Sequence, residues 1–492
     1  MNSCLSIDLN KLFEQFIYHP KEPLIFSTGF FLWLFMLFIS GFYLLRHKRD
    51  PKKLYVILFS LFFYYKSSGI YFILLIASTV IDYSLANFIY NANSQWKKKA
   101  WLIFSLVLNL GLLGYFKYTN FLYEIFCNLS NHPFDPFSIF LPVGVSFFTF
   151  QSLSYTIEIY RGDLKPVDRI IDYAFFVSFF PQLVAGPIVR AKDFLPQVNQ
   201  PTLVTKEMFG QAVFLIVAGL FKKVIISDYI STNFVDRIFD NPTLYTGLEN
   251  LFGVYGYAMQ IYCDFSGYSD MAIGIALLFG YKLTLNFDSP YQSSSITEFW
   301  RRWHISLSTW LRDYLYISLG GNRKGRARTY FNQFMTMLLG GLWHGAAFRF
   351  ILWGALHGAA LGIDKFIKEF FKIPDNRFFK IAGVLLTFHF VCFCWIFFRA
   401  DDMHAAGSMI SQIAFHFTPS VFFDFITGYR NILLVLLMGY TLHFIPKNIE
   451  LKAQNIITQM PLAAKVAVMV GMVVILIQVK SSSIQPFIYF QF

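Results

Sequence analysis

The sequence predicts an all-α, polytopic integral membrane protein, and three observations predict it. Of 492 residues, 56% are hydrophobic and only 14% are charged, about half of the ~25% charge that a soluble domain carries. The mean hydropathy is +0.49. Apolar runs recur along the whole chain with basic clusters between them. A chain with so little charge cannot turn most of its surface to water, so lipid is the solvent it fits. In lipid each backbone group needs an internal partner, which long uninterrupted apolar runs find as helices. The aromatic fraction of 20%, with 61 Phe, suits lipid-facing helices and interfacial belts.

The elements follow in order. Residues 1–22 contain Lys11, Glu14, Lys21 and Glu22, so no uninterrupted apolar core of a cleavable signal is present there. Leu5, Leu9, Leu12, Phe13, Phe16 and Ile17 fall at helical spacing, which reads as an amphipathic segment on the membrane surface or as a packed N-terminal helix. Run 23–45 carries no charge and qualifies as a span. Runs 54–65 and 67–81 follow as a there-and-back pair around a Ser-Ser-Gly turn. Next come 100–116, 136–157, 173–189, 208–221, 250–263 with 271–281, 331–348, 350–363, 381–398, 431–446 and 466–479. These amount to about eleven membrane elements, several of them short, tilted, broken or re-entrant. No loop is long enough to fold alone, so 23–492 reads as a single membrane domain.

The formal net charge is +12, and its placement favours topology over nucleic-acid binding. Arg46, His47, Lys48, Arg49, Lys52 and Lys53 follow the first span, and Lys97, Lys98 and Lys99 follow the third. Positive residues accumulate on the cytoplasmic side, which places both clusters there and the N-terminus outside. Arg323, Lys324, Arg326 and Arg328 form a third cluster of the same kind. The five cysteines, Cys4, Cys127, Cys263, Cys392 and Cys394, show no zinc-ligand spacing. Cys392 and Cys394, inside an apolar run, read as packing residues.

Polar chemistry concentrates in 255–365. Asp264, Ser266, Ser269 and Asp270 interrupt an apolar stretch, and carboxylates at membrane depth are costly unless paired or wet. They predict the polar wall of a substrate channel, or a helix break whose acids bond freed backbone N–H groups. Ser266 is not in a nucleophile elbow. The stretch Phe299–Tyr314, if one helix, gathers Trp300, Trp303, Leu307, Trp310, Leu311 and Tyr314 on one face and Arg301, Ile305, Ser308 and Arg312 on another. It reads as an interfacial amphipathic helix, or as the floor of a catalytic tunnel whose arginines hold donor phosphate. His344, in Gly340-Gly341-Leu342-Trp343-His344-Gly345, lies late in an apolar run. An intramembrane imidazole is a functional candidate and titrates near neutrality, as a general base must; the bland alternative is an interhelical hydrogen bond. The flanking glycines admit close approach of another backbone or a substrate chain. His357, in Trp353-Gly354-Ala355-Leu356-His357-Gly358, and His389 are weaker candidates of the same sort. The chain lacks a Walker loop, an H-E-x-x-H motif and a GxGxxG fingerprint. A transporter without chemistry would explain a buried polar belt, but it leaves the Trp-Arg-Arg-Trp-His and Trp-His-Gly motifs without a purpose.

Those motifs carry a resemblance. "FWRRWHISLSTWLRDYLYISLGGNR" at 299–323, "GLWHGA" at 341–346 and "WGALHG" at 353–358 closely resemble the membrane-bound O-acyltransferases, and in particular their bacterial alginate O-acetyltransferase branch. "LPVGVSFFTFQSLSYTIEIYRG" at 141–162, "FFPQLVAGPIVRAKDFLPQ" at 179–197, "DFSGYSDMAIGIALLFGY" at 264–281 and "NFDSPYQSSSITEFW" at 286–300 extend it over most of 20–400, with a core of approximately 136–400. The resemblance implies a helical ring around a thin core pierced by a tunnel. It implies that His344 is the catalytic histidine and His304 the second histidine of the tunnel. Trp300, Arg302, Trp303, Asp313, Tyr314, Trp343, Asp264, Ser266, Asn286 and His357 are then expected to line it. It further implies a cytoplasmic thioester donor, acetyl-CoA or an acyl carrier, used as substrate with no tightly bound cofactor or metal. The acyl group, in this branch acetyl, would pass outward to hydroxyls of an exported polysaccharide or to an extracytoplasmic partner transferase, from the bacterial cytoplasmic (inner) membrane. D-alanyl transfer, and acylation of proteins or lipids, belong to the same fold.

Overall fold

A computed structural model describes residues 13–20, 22–372, 374–479 and 487. Most of the N-terminal segment read as amphipathic, through residue 12, lies outside the described residues. Among them every regular element is helical. Five helical segments are long and apolar enough to cross a membrane, Arg49–Asn91, Gln95–Ser130, Lys206–Asp240, Phe348–Phe370 and Arg377–Arg399, or up to seven if two sharply bent pairs near the C-terminus each count as one span. The membrane elements expected from the sequence, about eleven, exceed this number because several runs occupy short helices. Run 173–189, for example, is divided between Ile170–Ser178, Phe180–Leu183 and a turn.

Two compact units divide at Val204/Thr205, Leu277/Leu278 and Leu283/Thr284. The first contains α1 (Gly29–Leu45), α2 (Arg49–Ser68), α3 (Phe72–Asn91), α4 (Gln95–Ser130) and α5 (Val145–Arg161). Gly69 sits at φ +59 and breaks the helix between α2 and α3. Lys53 on α2 is ion-paired with Asp172, and Tyr83 on α3 donates to the Asp168 carbonyl at 2.9 Å. Thirty residues of straight helix would extend about 45 Å, so two such partners only four residues apart require the chain to double back at Gly69. Asp82, fully buried, is met by neutral donors: Asn109 Nδ2 at 2.8 Å, Ser78 Oγ at 3.0 Å and Ser105 Oγ at 3.3 Å. That satisfies a carboxyl group at a depth where an unmet one would be costly.

The second unit contains α6 (Lys206–Asp240), α7 (Gly247–Leu278), α8 (Ile296–Arg302), α9 (Ile305–Trp310), α10 (Arg326–His344), α11 (Phe348–Phe370), α12 (Arg377–Arg399) and α13 (Arg430–His443). The break expected at 264–270 does not occur, because α7 runs through it without interruption. Its acids are neutralised by cations of α6 instead. Lys223 pairs with Asp264 at 2.5 Å and with Asp228 at 2.8 Å, and Lys222 pairs with Asp270 at 2.7 Å. The single helix expected over Phe299–Tyr314 is also corrected. It is two short helices, α8 and α9, split at Trp303 and His304, followed by one wider π turn at Leu311–Tyr316. Its apolar face is nonetheless the predicted one, for Trp300, Trp303, Leu307, Trp310, Leu311 and Tyr314 are all buried.

Candidate active site

The site lies within the second unit and begins with a helical hairpin. α10 ends at His344, the chain turns over Gly345–Ala347, and α11 runs back. His344 is 4% exposed and sits in an aromatic box. The rings of Trp343, Trp353 and Phe398 approach its imidazole at 4.9, 5.1 and 5.3 Å between centroids, each edge to face. Edge-to-face geometry directs the positive rim of one ring at the π face of the other, which holds the imidazole in one orientation.

One turn beyond Trp353 on α11, His357 is fully buried, and its ring lies 4.6 Å from that of Trp353. Trp300 Nε1 donates to His357 Nδ1 at 3.3 Å. An indole N–H only donates, so His357 carries its own proton on Nε2. Neither His357 Nε2 nor Trp353 Nε1 has a hydrogen-bond partner among the described residues.

His304 also approaches Trp343, its ring centroid 6.4 Å from that indole and 4.6 Å from Phe265. It is fully buried, and burial pushes its imidazole down to about 3, so it is neutral at physiological pH. Its backbone is left-handed, at φ +43, a conformation that costs a non-glycine residue roughly 1–2 kcal/mol. The segment around Asn286 holds that turn. Ile305 N donates to the Asn286 carbonyl at 2.9 Å, and Asp288 N donates to the Arg302 carbonyl at 3.0 Å. Asn286 Oδ1 lies 3.0 Å from His304 Nδ1.

Trp300 also lines a cavity of about 1840 Å³. Its wall includes the cations Arg301, Arg312, Lys365, Lys368, Lys372 and Lys380. Lys368 is paired with Asp364 at 2.9 Å, Lys365 with Glu369 at 3.8 Å and Arg312 with Asp313 at 2.6 Å. Arg301, Lys372 and Lys380 form no salt bridge among the described residues, which leaves the wall with cationic charge to offer an anion. The cavity meets Leu361–Glu369 of α11 and Phe379–Leu386 of α12, whereas His344 packs on Trp353 and Phe398, toward the opposite ends of those helices. At that far end Arg399 bridges Asp236 at 3.1 Å, Asp240 at 3.6 Å and Asp401 at 3.6 Å. Cations therefore outnumber acids in the cavity wall, six to four, and at the far end three aspartates surround Arg399.

The structure thus brings His344, Trp343, His304, Asn286, Trp300, Trp303 and His357 into one aromatic cluster, in which Trp303 stacks on Phe299 at 5.6 Å. Other expected lining residues are engaged elsewhere. Arg302 pairs with Glu298 at 2.8 Å. Burial alone would raise the Glu298 carboxyl, but the Ser294 N–H and hydroxyl, together with Arg302, outweigh it and hold the group below its ordinary value. It is Arg301 that faces the cavity. Asp313 is held by Arg312, Tyr314 packs on Trp310 at 5.0 Å, Asp264 is held by Lys223, and Ser266 is buried one residue beyond Phe265. Sequence reasoning missed the role of Trp353 and the lysines of the cavity wall. The Trp353-x-x-x-His357 spacing, one helical turn, was the available signal for the first. The lysines sit near helix ends, 7 to 22 residues beyond the end of the 353–358 motif, and gave no local signal.

Comparison with known proteins bears on this geometry. The family model described as MBOAT, membrane-bound O-acyltransferase family, matches residues 15–400. A protein of Pseudomonas aeruginosa named probable alginate O-acetylase is 44% identical over 397 residues, covering 78% of this chain and 74% of that protein. A peptidoglycan O-acetyltransferase of Helicobacter pylori is 38% identical over 413 residues, covering 78% of each chain. A teichoic acid D-alanyltransferase of Bacillus subtilis is 32% identical over 294 residues, covering 56% of this chain and 72% of that protein. With a buried histidine cluster beside a basic cavity, and a family match across most of its length, the chain belongs to the membrane-bound O-acyltransferases, as a multi-pass membrane enzyme that transfers acyl groups.

Proposed function

We propose that the enzyme moves an acetyl group from a cytoplasmic thioester to a hydroxyl of an exported polysaccharide, or to an extracytoplasmic partner transferase that completes the delivery. The observation that carries this reading is the position of His344, buried at one end of helices whose other ends wall a cationic cavity. That polarity suits a donor with phosphate groups, acetyl-CoA or a carrier-bound phosphopantetheine, entering from the basic side. By the positive-inside rule the basic side is cytoplasmic, in the inner membrane of a bacterium. By the same rule the basic clusters at 46–53 and 97–99 are cytoplasmic, with the N-terminus outside.

Neutral His344 takes the proton of the acceptor hydroxyl as that oxygen attacks the thioester carbonyl. The developing oxyanion is met by buried N–H donors, for which Trp353 Nε1 and His357 Nε2 are the candidates. Collapse of the intermediate expels the thiolate, and the imidazolium returns the proton to it. The aromatic box around His344 holds the two substrates against one base, and such proximity contributes several kcal/mol. Acetyl is favoured over D-alanyl because the acetyl-transferring relatives cover 78% of the chain at 38–44% identity. The test compares O-acetyl ester in surface polysaccharide of the wild type, a deletion strain and the deletion complemented with His344→Ala. Acetyl should fall in the deletion and stay low with the variant. Unchanged acetyl throughout overturns the acetyl reading.

A further inference from the structure

We propose that Asn286 is a positioning residue that fixes His304 as the Nδ1–H tautomer, so that His304 Nε2 is a hydrogen-bond acceptor for a second hydroxyl of the acyl acceptor. The two amide ends of Asn286 are distinguished by their neighbours. Oδ1 receives the backbone N–H of Ser306 at 3.3 Å, and a backbone N–H can only donate, so the atom facing it is oxygen. Ser306 Oγ also donates to Oδ1 at 2.9 Å, and Nδ2 donates to Ser269 Oγ at 3.1 Å. The nitrogen of His304 that lies 3.0 Å from this oxygen must then be the protonated one.

The consequence is chemical. A neutral imidazole protonated at Nδ1 has a lone pair at Nε2. It cannot donate to an oxyanion at that atom, but it can receive an O–H. The left-handed backbone of His304 reinforces the assignment, because strain of this kind persists where the surroundings over-determine a position. Here the carbonyl and the side chain of Asn286 both fasten residues 304–306. The reacting hydroxyl gives its hydrogen to His344, so the hydroxyl that docks on His304 is another one of the same molecule. The acceptor class that fits is a polyol with neighbouring hydroxyls, as in a sugar ring. This last step rests on the acyl-transfer reading above; the tautomer does not.

The experiment is nitrogen NMR of the full chain in micelles with ¹⁵N-labelled histidine, the His304 signals being assigned by their loss in His304→Gln. The wild type should show a protonated Nδ1 and an unprotonated Nε2. Asn286→Asp keeps the acceptor oxygen and should keep the tautomer, whereas Asn286→Leu should release it to the Nε2–H form. An Nε2–H wild type overturns the proposal and leaves the acyl-transfer reading untouched. Transfer from acetyl-CoA to an alginate oligosaccharide supplies the second readout, with folding checked by thermal unfolding. Asn286→Leu should raise the acceptor KM about tenfold or more with the donor KM unchanged, and Asn286→Asp should restore most of the difference. Equal loss in both variants, or a change confined to the donor KM, contradicts the role of the acceptor hydroxyl. Loss of wild-type transfer altogether would instead count against the acyl-transfer reading.

Discussion

Gly341 and Gly354 meet where α10 packs on α11. A Cβ on Gly341 would lie 2.3 Å from the Phe350 carbonyl oxygen and 2.9 Å from the Gly354 Cα, and one on Gly354 would lie 2.5 Å from the Met337 carbonyl oxygen. Nothing larger than hydrogen fits between the two backbones, and this closeness sets the spacing of His344 and Trp353 on the facing helices. Gly341→Ala and Gly354→Ala should each destabilise the protein by about 1–3 kcal/mol, the usual cost of overpacking. Thermal unfolding in detergent checks this, and a loss of activity should accompany it.

The ion pairs of α6 and α7 give a second prediction. Lys223 and Asp264 have side chains only 3% and 4% exposed. Removing Lys223 strands the buried Asp264 carboxylate, which costs about 3–5 kcal/mol, whereas removing Asp264 leaves Lys223 paired with Asp228. Lys223→Met should therefore lower expression and thermal stability sharply, and Asp264→Ala less so. Lys223→Met combined with Asp264→Leu should recover most of the loss, and a double variant as unstable as Lys223→Met alone would show that the pair is more than a neutralised charge.

Two adjacent arginines should behave differently. Arg301 faces the basic cavity, while Arg302 is committed to Glu298. Arg301→Ala should raise the KM for the thioester donor several-fold with little effect on unfolding. Arg302→Ala should affect stability first. Donor-dependence curves and melting curves for the two variants separate these roles.

The pH dependence follows from His304. Its folded value is pushed down to about 3, below the ~6.5 of an unperturbed histidine, so the unfolded chain binds the proton more readily. Stability from this group is present above about 6.5 and is lost as pH falls from there toward 3. Melting temperature should decline with acidification over that window, and the slope should be smaller in His304→Gln.

Much of this was legible in the sequence, and the failures have physical causes. The membrane class rests on composition, and His344 stood out because an imidazole late in an apolar run demands a reason. The buried face of Phe299–Tyr314 followed from helical spacing, which survives a local break. The break itself was hidden, since it depends on Asn286, 18 residues away, fastening the His304 turn. The continuity of α7 was hidden for a similar reason. Asp264 and Asp270 signal a break only if they lack cations, and their partners Lys223 and Lys222 lie on another helix.

The central claim is tested most directly by reconstituting the purified enzyme in vesicles, supplying radiolabelled acetyl-CoA and an alginate oligosaccharide, and measuring label in ester form for the wild type and His344→Ala. The account predicts transfer by the wild type and a loss of at least about a hundredfold in the variant, with the melting curve unchanged. A correctly folded His344→Ala enzyme that transfers acetyl at the wild-type rate would contradict it.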